Sequence, residues 1–210
     1  MVPNIEQDLK ECLKLISANW KKQGDELDKK TKFIYETETL QECLDLIQKK
    51  GADRDYALHR WYNHKTSVHC EYIFCEFGAE HEENVYNRDV DIYIDQTPFD
   101  VKLTVYPAKL SNRPYDLRTR EGKNEMIQWY YANQSQGQRK QLINRLYVVC
   151  DGRNQEERLR LKSEFELLRK EISSFMSYVK EKELNQITIT DDFGNNYPVY
   201  SDLIYVVQAA

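Results

Sequence analysis

Asp100 and Lys102 stand two apart in a run that Asp91 opens, Asp91-Ile-Tyr-Ile-Asp-Gln-Thr-Pro-Phe-Asp-Val-Lys-Leu-Thr. Side chains two apart on a strand share a face, so an extended chain points Asp100 and Lys102 the same way. Antiparallel pairing brings Asp91 alongside them. Two carboxylates beside an amine suit a hard cation such as Mg²⁺ or Mn²⁺, which binds through one or two carboxylates plus waters and the phosphate oxygens of a substrate. The ammonium adds what a purely structural metal site does not need: it binds a phosphate oxygen or stabilises developing negative charge. These are the parts of metal-assisted phosphodiester hydrolysis. The plainer reading is a surface hairpin whose outward face carries Asp95, Asp100 and Lys102 in solvent.

The elements around these residues follow from hydrophobic periodicity. Val90, Ile92 and Ile94 alternate with Asp91, Tyr93 and Asp95, and Phe99, Val101, Leu103 and Val105 alternate with Asp100, Lys102 and Thr104. With turn chemistry at Gln96-Thr97-Pro98, this predicts a β-hairpin. Residues 53 to about 78 read as a helix, broken near residues 63–67. A basic loop follows the hairpin, then a helix over residues 123 to 134 whose Trp129-Tyr130-Tyr131 cluster reads as core packing rather than a base-stacking platform. Arg145 to Cys150 reads as a buried strand closed by Asp151-Gly152. Residues 155–182 read as the longest helix, with a stripe of Leu161, Phe165, Leu168, Ile172, Phe175 and Val179. Such a stripe covers a sheet, or pairs with a second copy in a homodimer.

Toward the N-terminus, Ile5, Leu9, Cys12, Leu13, Ile16 and Trp20 predict an amphipathic helix over residues 4–22. Phe33-Ile-Tyr35 reads as a short strand or extended link. Thr39-Leu-Gln-Glu42 is a capping box for a helix that stops at Gly51. The tail from Ile187 through Val207 predicts a terminal hairpin or two edge strands. The expected organisation is a helical extension over 1–52, an α/β core over 53–182 and a C-terminal hairpin over 183–210 packed on that core.

Asp91 at the head of one hydrophobic strand, with Asp100-Val-Lys102 in the next, resembles the PD-(D/E)xK superfamily, the restriction-endonuclease-like nucleases. The resemblance spans about residues 67 to 150. It implies an α/β fold with a small mixed central β-sheet flanked by helices, the acids and the lysine lying on the second and third strands. It also implies a glutamate from the preceding helix, carried to Glu71, with Glu76 second and Ser67 as the small residue four positions earlier. Asp91, Asp100 and Glu71 are then the metal ligands, and Lys102 positions the nucleophile. Some branches add a Gln and a Tyr on the following helix, matched by Gln128 and Tyr131. Two departures stand out: Val90 replaces the usual Pro, and the acid-x-Lys uses Asp rather than the commoner Glu. The implied activity is Mg²⁺- or Mn²⁺-dependent endonucleolytic cleavage of DNA. A non-catalytic subunit of a nucleic-acid or defence assembly on the same fold is the alternative, and an acidic protein-binding module is a third.

Charge distribution bears on these alternatives. The net charge is -5 over 210 residues, unusual for a chain that meets nucleic acid. Acids crowd residues 76–100, whereas residues 113–145 carry Arg113, Arg118, Arg120, Lys123, Arg139, Lys140 and Arg145. Arg118, Arg120 and Lys123 are therefore expected substrate-backbone contacts, and the resemblance adds Gln128 to them. Five cysteines without a Cys-x-x-Cys pair favour reduced thiols. A zinc site from His69, Cys70, Cys75 and His81 is opposed by helix geometry, which turns Cys70 and Cys75 about 140° apart. No basic leader or long apolar run is present, so the expectation is a cytoplasmic protein with no membrane partner. The few glycines form neither a P-loop nor a dinucleotide fingerprint.

Overall fold

Alternating strands and two apolar helix faces assemble around one sheet in the computed structural model, which describes residues 5–18, 24–84, 86–110, 112–133, 142–191 and 193–208. Trp20, Arg139 and Lys140 lie outside the described residues, as does the end of the helix expected to reach residue 134. The strands are β1 (Glu80–His81), β2 (Ile92–Ile94), β3 (Thr97–Val105), β4 (Arg145–Asp151), β5 (Gln186–Thr190) and β6 (Asn196–Val207). Their order across the sheet is β1-β2-β3-β4-β6-β5. The first three form an antiparallel meander, β3, β4 and β6 run parallel, and β5 returns antiparallel to β6.

Helices α1 (Ile5–Leu15), α2 (Asp25–Lys30) and α3 (Leu40–Lys50) form the N-terminal extension, followed by α4 (Arg54–Glu76), α5 (Arg120–Ala132), α6 (Gln155–Leu161) and α7 (Phe165–Glu181). The sheet divides the core. On one face Ile92, Phe99, Val101, Leu103, Val148 and Ile204 pack with residues of α1, α3, α4 and α7. On the other, Tyr147, Val149 and Leu203 pack with Met126, Ile127 and Tyr131 of α5. The apolar stripe expected over residues 155–182 covers the sheet, with Phe165, Leu168, Ile172 and Val179 in the core. No helix among the described residues is long and apolar enough to cross a membrane.

Several expectations are corrected. The helix over residues 53–78 is unbroken. Asn63 and Thr66 return their side chains to the His59 and Tyr62 carbonyls at 2.9 Å each, so these polar residues sit inside the helix rather than ending it. Burial on several sides of α4, from Tyr56 through Phe74, also blurs the single stripe a surface helix presents. Phe33-Ile-Tyr35 belongs to a 3₁₀ turn, Lys32–Tyr35, not a strand. The long helix after β4 is two helices parted at residues 162–164, which leaves α4, at 23 residues, longer than α7. The tail does form a hairpin, yet β6 lies inside the sheet between β4 and β5 rather than at an edge. α1 ends at Leu15, whereas the capping box of Thr39 and Glu42 and the left-handed Gly51 (φ 59°) bound α3 as expected.

Candidate active site

The hairpin that carries the acids turns at Asp95-Gln96, not at Gln96-Thr97-Pro98. Both turn residues have positive φ, 47° and 65°, the geometry of a two-residue hairpin turn whose twist matches its strands. Pro98 consequently lies in β3, opposite Tyr93. Pairing of Ile92 with Phe99 carries Asp91 to the position facing Asp100. The Asp91 amide donates to the Phe99 carbonyl at 2.8 Å, and Asp91 Oδ2 accepts the Val101 amide at 2.7 Å. The side chain of Asp91 is thus anchored on the strand that bears Asp100 and Lys102.

Val101 and Leu103 enter the core shared with α4, so the pleat directs Asp100 and Lys102 to the opposite face. Asp100 is only 2% exposed. Its Oδ1 accepts from Lys102 Nζ, and Arg145 Nε lies 2.7 Å from its Oδ2, a charge contact without the alignment of a hydrogen bond. Arg145 opens β4 directly beside Asp100 and is itself buried, its guanidinium over the Tyr131 ring at 5.7 Å. Lys102 is nearly half exposed, so its ammonium reaches solvent while its neighbour does not.

Glu71 joins from α4, which lies against β1, β2 and β3. Its Oε2 stands 3.2 Å from His81 Nε2, while His81 Nδ1 stands 2.9 Å from the Glu82 carbonyl and must be the donor there. Burial, with added repulsion from Asp91 and Asp100, pushes the Glu71 carboxyl up to about 8 against the pull of Lys102. Burial also raises Asp91, opposed by the Val101 amide and by Lys102 and reinforced by Asp100. Asp91, Asp100 and Lys102 thus meet on adjacent strands, whereas Glu71, on the helix packed against the other face of β3, feels their charges without a direct contact to them among the described residues.

Negative charge exceeds positive charge around Glu71, and the donors there are hard carboxylate oxygens, the chemistry that Mg²⁺ or Mn²⁺ takes. Among the described residues no group of three His, Cys, Asp or Glu side chains is drawn together to hold a metal ion. Asp100 is engaged by Lys102 and Arg145, whereas Glu71 meets the His81 ring and Asp91 the Val101 amide. One or two carboxylates with waters and substrate oxygens suffice for Mg²⁺, so these residues fit such an ion. The five thiols are free, as expected, and burial raises each of them.

The expected substrate contacts lie elsewhere. Arg118, Arg120 and Lys123 line a cavity of about 460 Å³ with Tyr178 and Asp202, and Arg120 pairs with Asp202 at 2.7 Å. Gln128 is exposed and lines another hollow with Leu142 and Thr188. Neither of these two cavities is lined by Glu71, Asp91, Asp100 or Lys102 among the described residues, whereas Tyr131, from the same helix as Gln128, does meet Arg145. Sequence reasoning put Arg145 in a basic rim and His81 in a disfavoured zinc set, and gave neither its place beside the acids. The available signal for Arg145 was a cation heading an otherwise apolar strand; His81 carried none, because its partner Glu71 sits on another element.

No protein-family model matches the chain, and neither a search of curated proteins nor one of solved structures finds a match.

Proposed function

We propose that this chain is a Mg²⁺- or Mn²⁺-dependent nuclease that hydrolyses phosphodiester bonds in DNA, with a PD-(D/E)xK-type site. The observation that carries the reading is the placement of Asp91 opposite Asp100 on adjacent strands, its carboxylate on the Val101 amide and Lys102 paired with Asp100. The mixed sheet flanked by helices is consistent with that superfamily without being specific to it. Asp91 and Glu71 would hold the ion, and Asp100 would join them as Lys102 turns to the phosphate. A bound divalent ion supplies an activated water and charge stabilisation for the departing oxygen. Lys102, half exposed and tethered to a buried carboxylate, offers its ammonium to a non-bridging phosphate oxygen and orients the attacking water. Arg145 keeps Asp100 in place from below.

Purified protein should nick plasmid DNA when Mg²⁺ or Mn²⁺ is added, and Lys102→Ala should abolish nicking while unfolding cooperatively like the parent. Robust cleavage by Lys102→Ala would remove Lys102 from the mechanism. The second reading, a non-catalytic binding subunit, draws on the double engagement of Asp100 by Lys102 and Arg145. It expects Mn²⁺ titration heats that Asp91→Asn and Asp100→Asn leave unchanged.

A further inference from the structure

Tyr72 follows Glu71 on α4, is 53% exposed, and stacks parallel on His81 with ring centroids 4.7 Å apart and an interplanar angle of 6°. An exposed tyrosine alone is unremarkable. Here its partner ring is fixed at both nitrogens, Nδ1 by the Glu82 carbonyl and Nε2 by Glu71. The pair thus forms a shelf whose His81 edge is held by Glu71 and whose Tyr72 ring is more than half exposed. Tyr86, 87% exposed, projects from the loop between β1 and β2, whose base is pinned by the Glu82 amide on the Asp91 carbonyl at 2.9 Å. Tyr72 is thus next to Glu71 on the helix, and Tyr86 stands in the loop that leads into Asp91.

We infer that the Tyr72–His81 shelf takes an unpaired base of single-stranded DNA whose phosphate enters the carboxylate site. This deepens the nuclease reading and rests on it for the identity of the strand. A base within a duplex already has both faces stacked and offers none to a protein ring, whereas an unpaired base does. The chain's net charge of -5 disfavours binding that rests on phosphates alone in either form of DNA, so a contribution from stacking, which an unpaired base offers, is needed. Stacking supplies affinity that this acidic surface does not gain from charge. Tyr72 holds the base and takes no part in bond breaking.

Fluorescence anisotropy of a labelled oligothymidylate, against a duplex of equal length, tests this with the full chain in EDTA at low salt. Single strand should bind more tightly than duplex. Tyr72→Ala should weaken single-strand binding by about five- to 150-fold, the range of one stacked base. Tyr72→Phe, which keeps the ring, should retain it, and duplex binding should be indifferent to both changes. Equal affinity for the two DNAs, or an unaffected Tyr72→Ala, overturns the shelf. Metal-dependent cleavage that persists alongside either result leaves the nuclease reading standing. A Tyr72-dependent strand preference without cleavage under any divalent metal overturns that reading instead.

Discussion

Glu71 and Lys162 are buried ionisable groups displaced in opposite directions, and each imprints its own pH window on stability. Glu71 moves from 4.5 to about 8, mainly through burial. Between those values the folded chain binds the extra proton, so stability falls as pH rises across this window. Glu71→Gln should flatten that slope and raise stability at pH 8 by a few kcal/mol, read from urea midpoints across a pH series. Lys162 is fully buried near Cys70 and Cys150, bonded to Asn63, and burial lowers it from 10.5 to about 8. The unfolded chain then holds the extra proton, so stability rises with pH from about 8 to 10.5. Lys162→Met should remove that rise, and its persistence would assign the slope to another group. At the same scale, Asp100 and Lys102 were legible because strand periodicity alone aligns residues two apart, and Asp91 because a hairpin aligns its partners. Arg145 was not, since its place beside Asp100 depends on which strand the chain returns to after α5.

Caps and periodic faces were read well, and breaks were not. Thr39 and Glu42 announce α3 by a local exchange of hydrogen bonds, independent of tertiary context. The split between α6 and α7 is tertiary: Tyr62 donates its hydroxyl to the Leu159 carbonyl at 2.7 Å, and Ser163 turns to Arg160 at 3.0 Å. The turn was misplaced by one residue because Pro98 looked like turn chemistry, while Asp95 and Gln96 accept left-handed geometry without glycine. One glycine shows how tightly two elements meet. A Cβ on Gly122 in the first turn of α5 would lie 2.2 Å from the Asp116 carbonyl oxygen, a backbone atom. Gly122→Ala should therefore destabilise by at least about 2 kcal/mol, through backbone displacement. The denaturation midpoint should fall at unchanged slope; a midpoint equal to the parent's would show that the loop yields freely.

The molecule as a whole is closed by β6, which runs beside β4 along Arg145–Asp151 and completes the cores on both faces through Leu203, Ile204 and Val206. A chain stopped at residue 182 should lose cooperative unfolding and bind a hydrophobic dye, since β4 would be left with a bare edge and two uncovered faces. Circular dichroism with a parent-like melting transition for that fragment would contradict this account. The alternation of Ile187 through Val207 in the sequence revealed strands there; their depth in the sheet follows from the parallel return to β4, which no local pattern encodes. The same arrangement has a consequence on the ribosome. Residues 97–105 and 145–151 emerge long before 201–207, so the nascent chain presents an apolar, half-paired sheet for as long as translation needs to reach its missing neighbour, a few seconds at ordinary elongation rates.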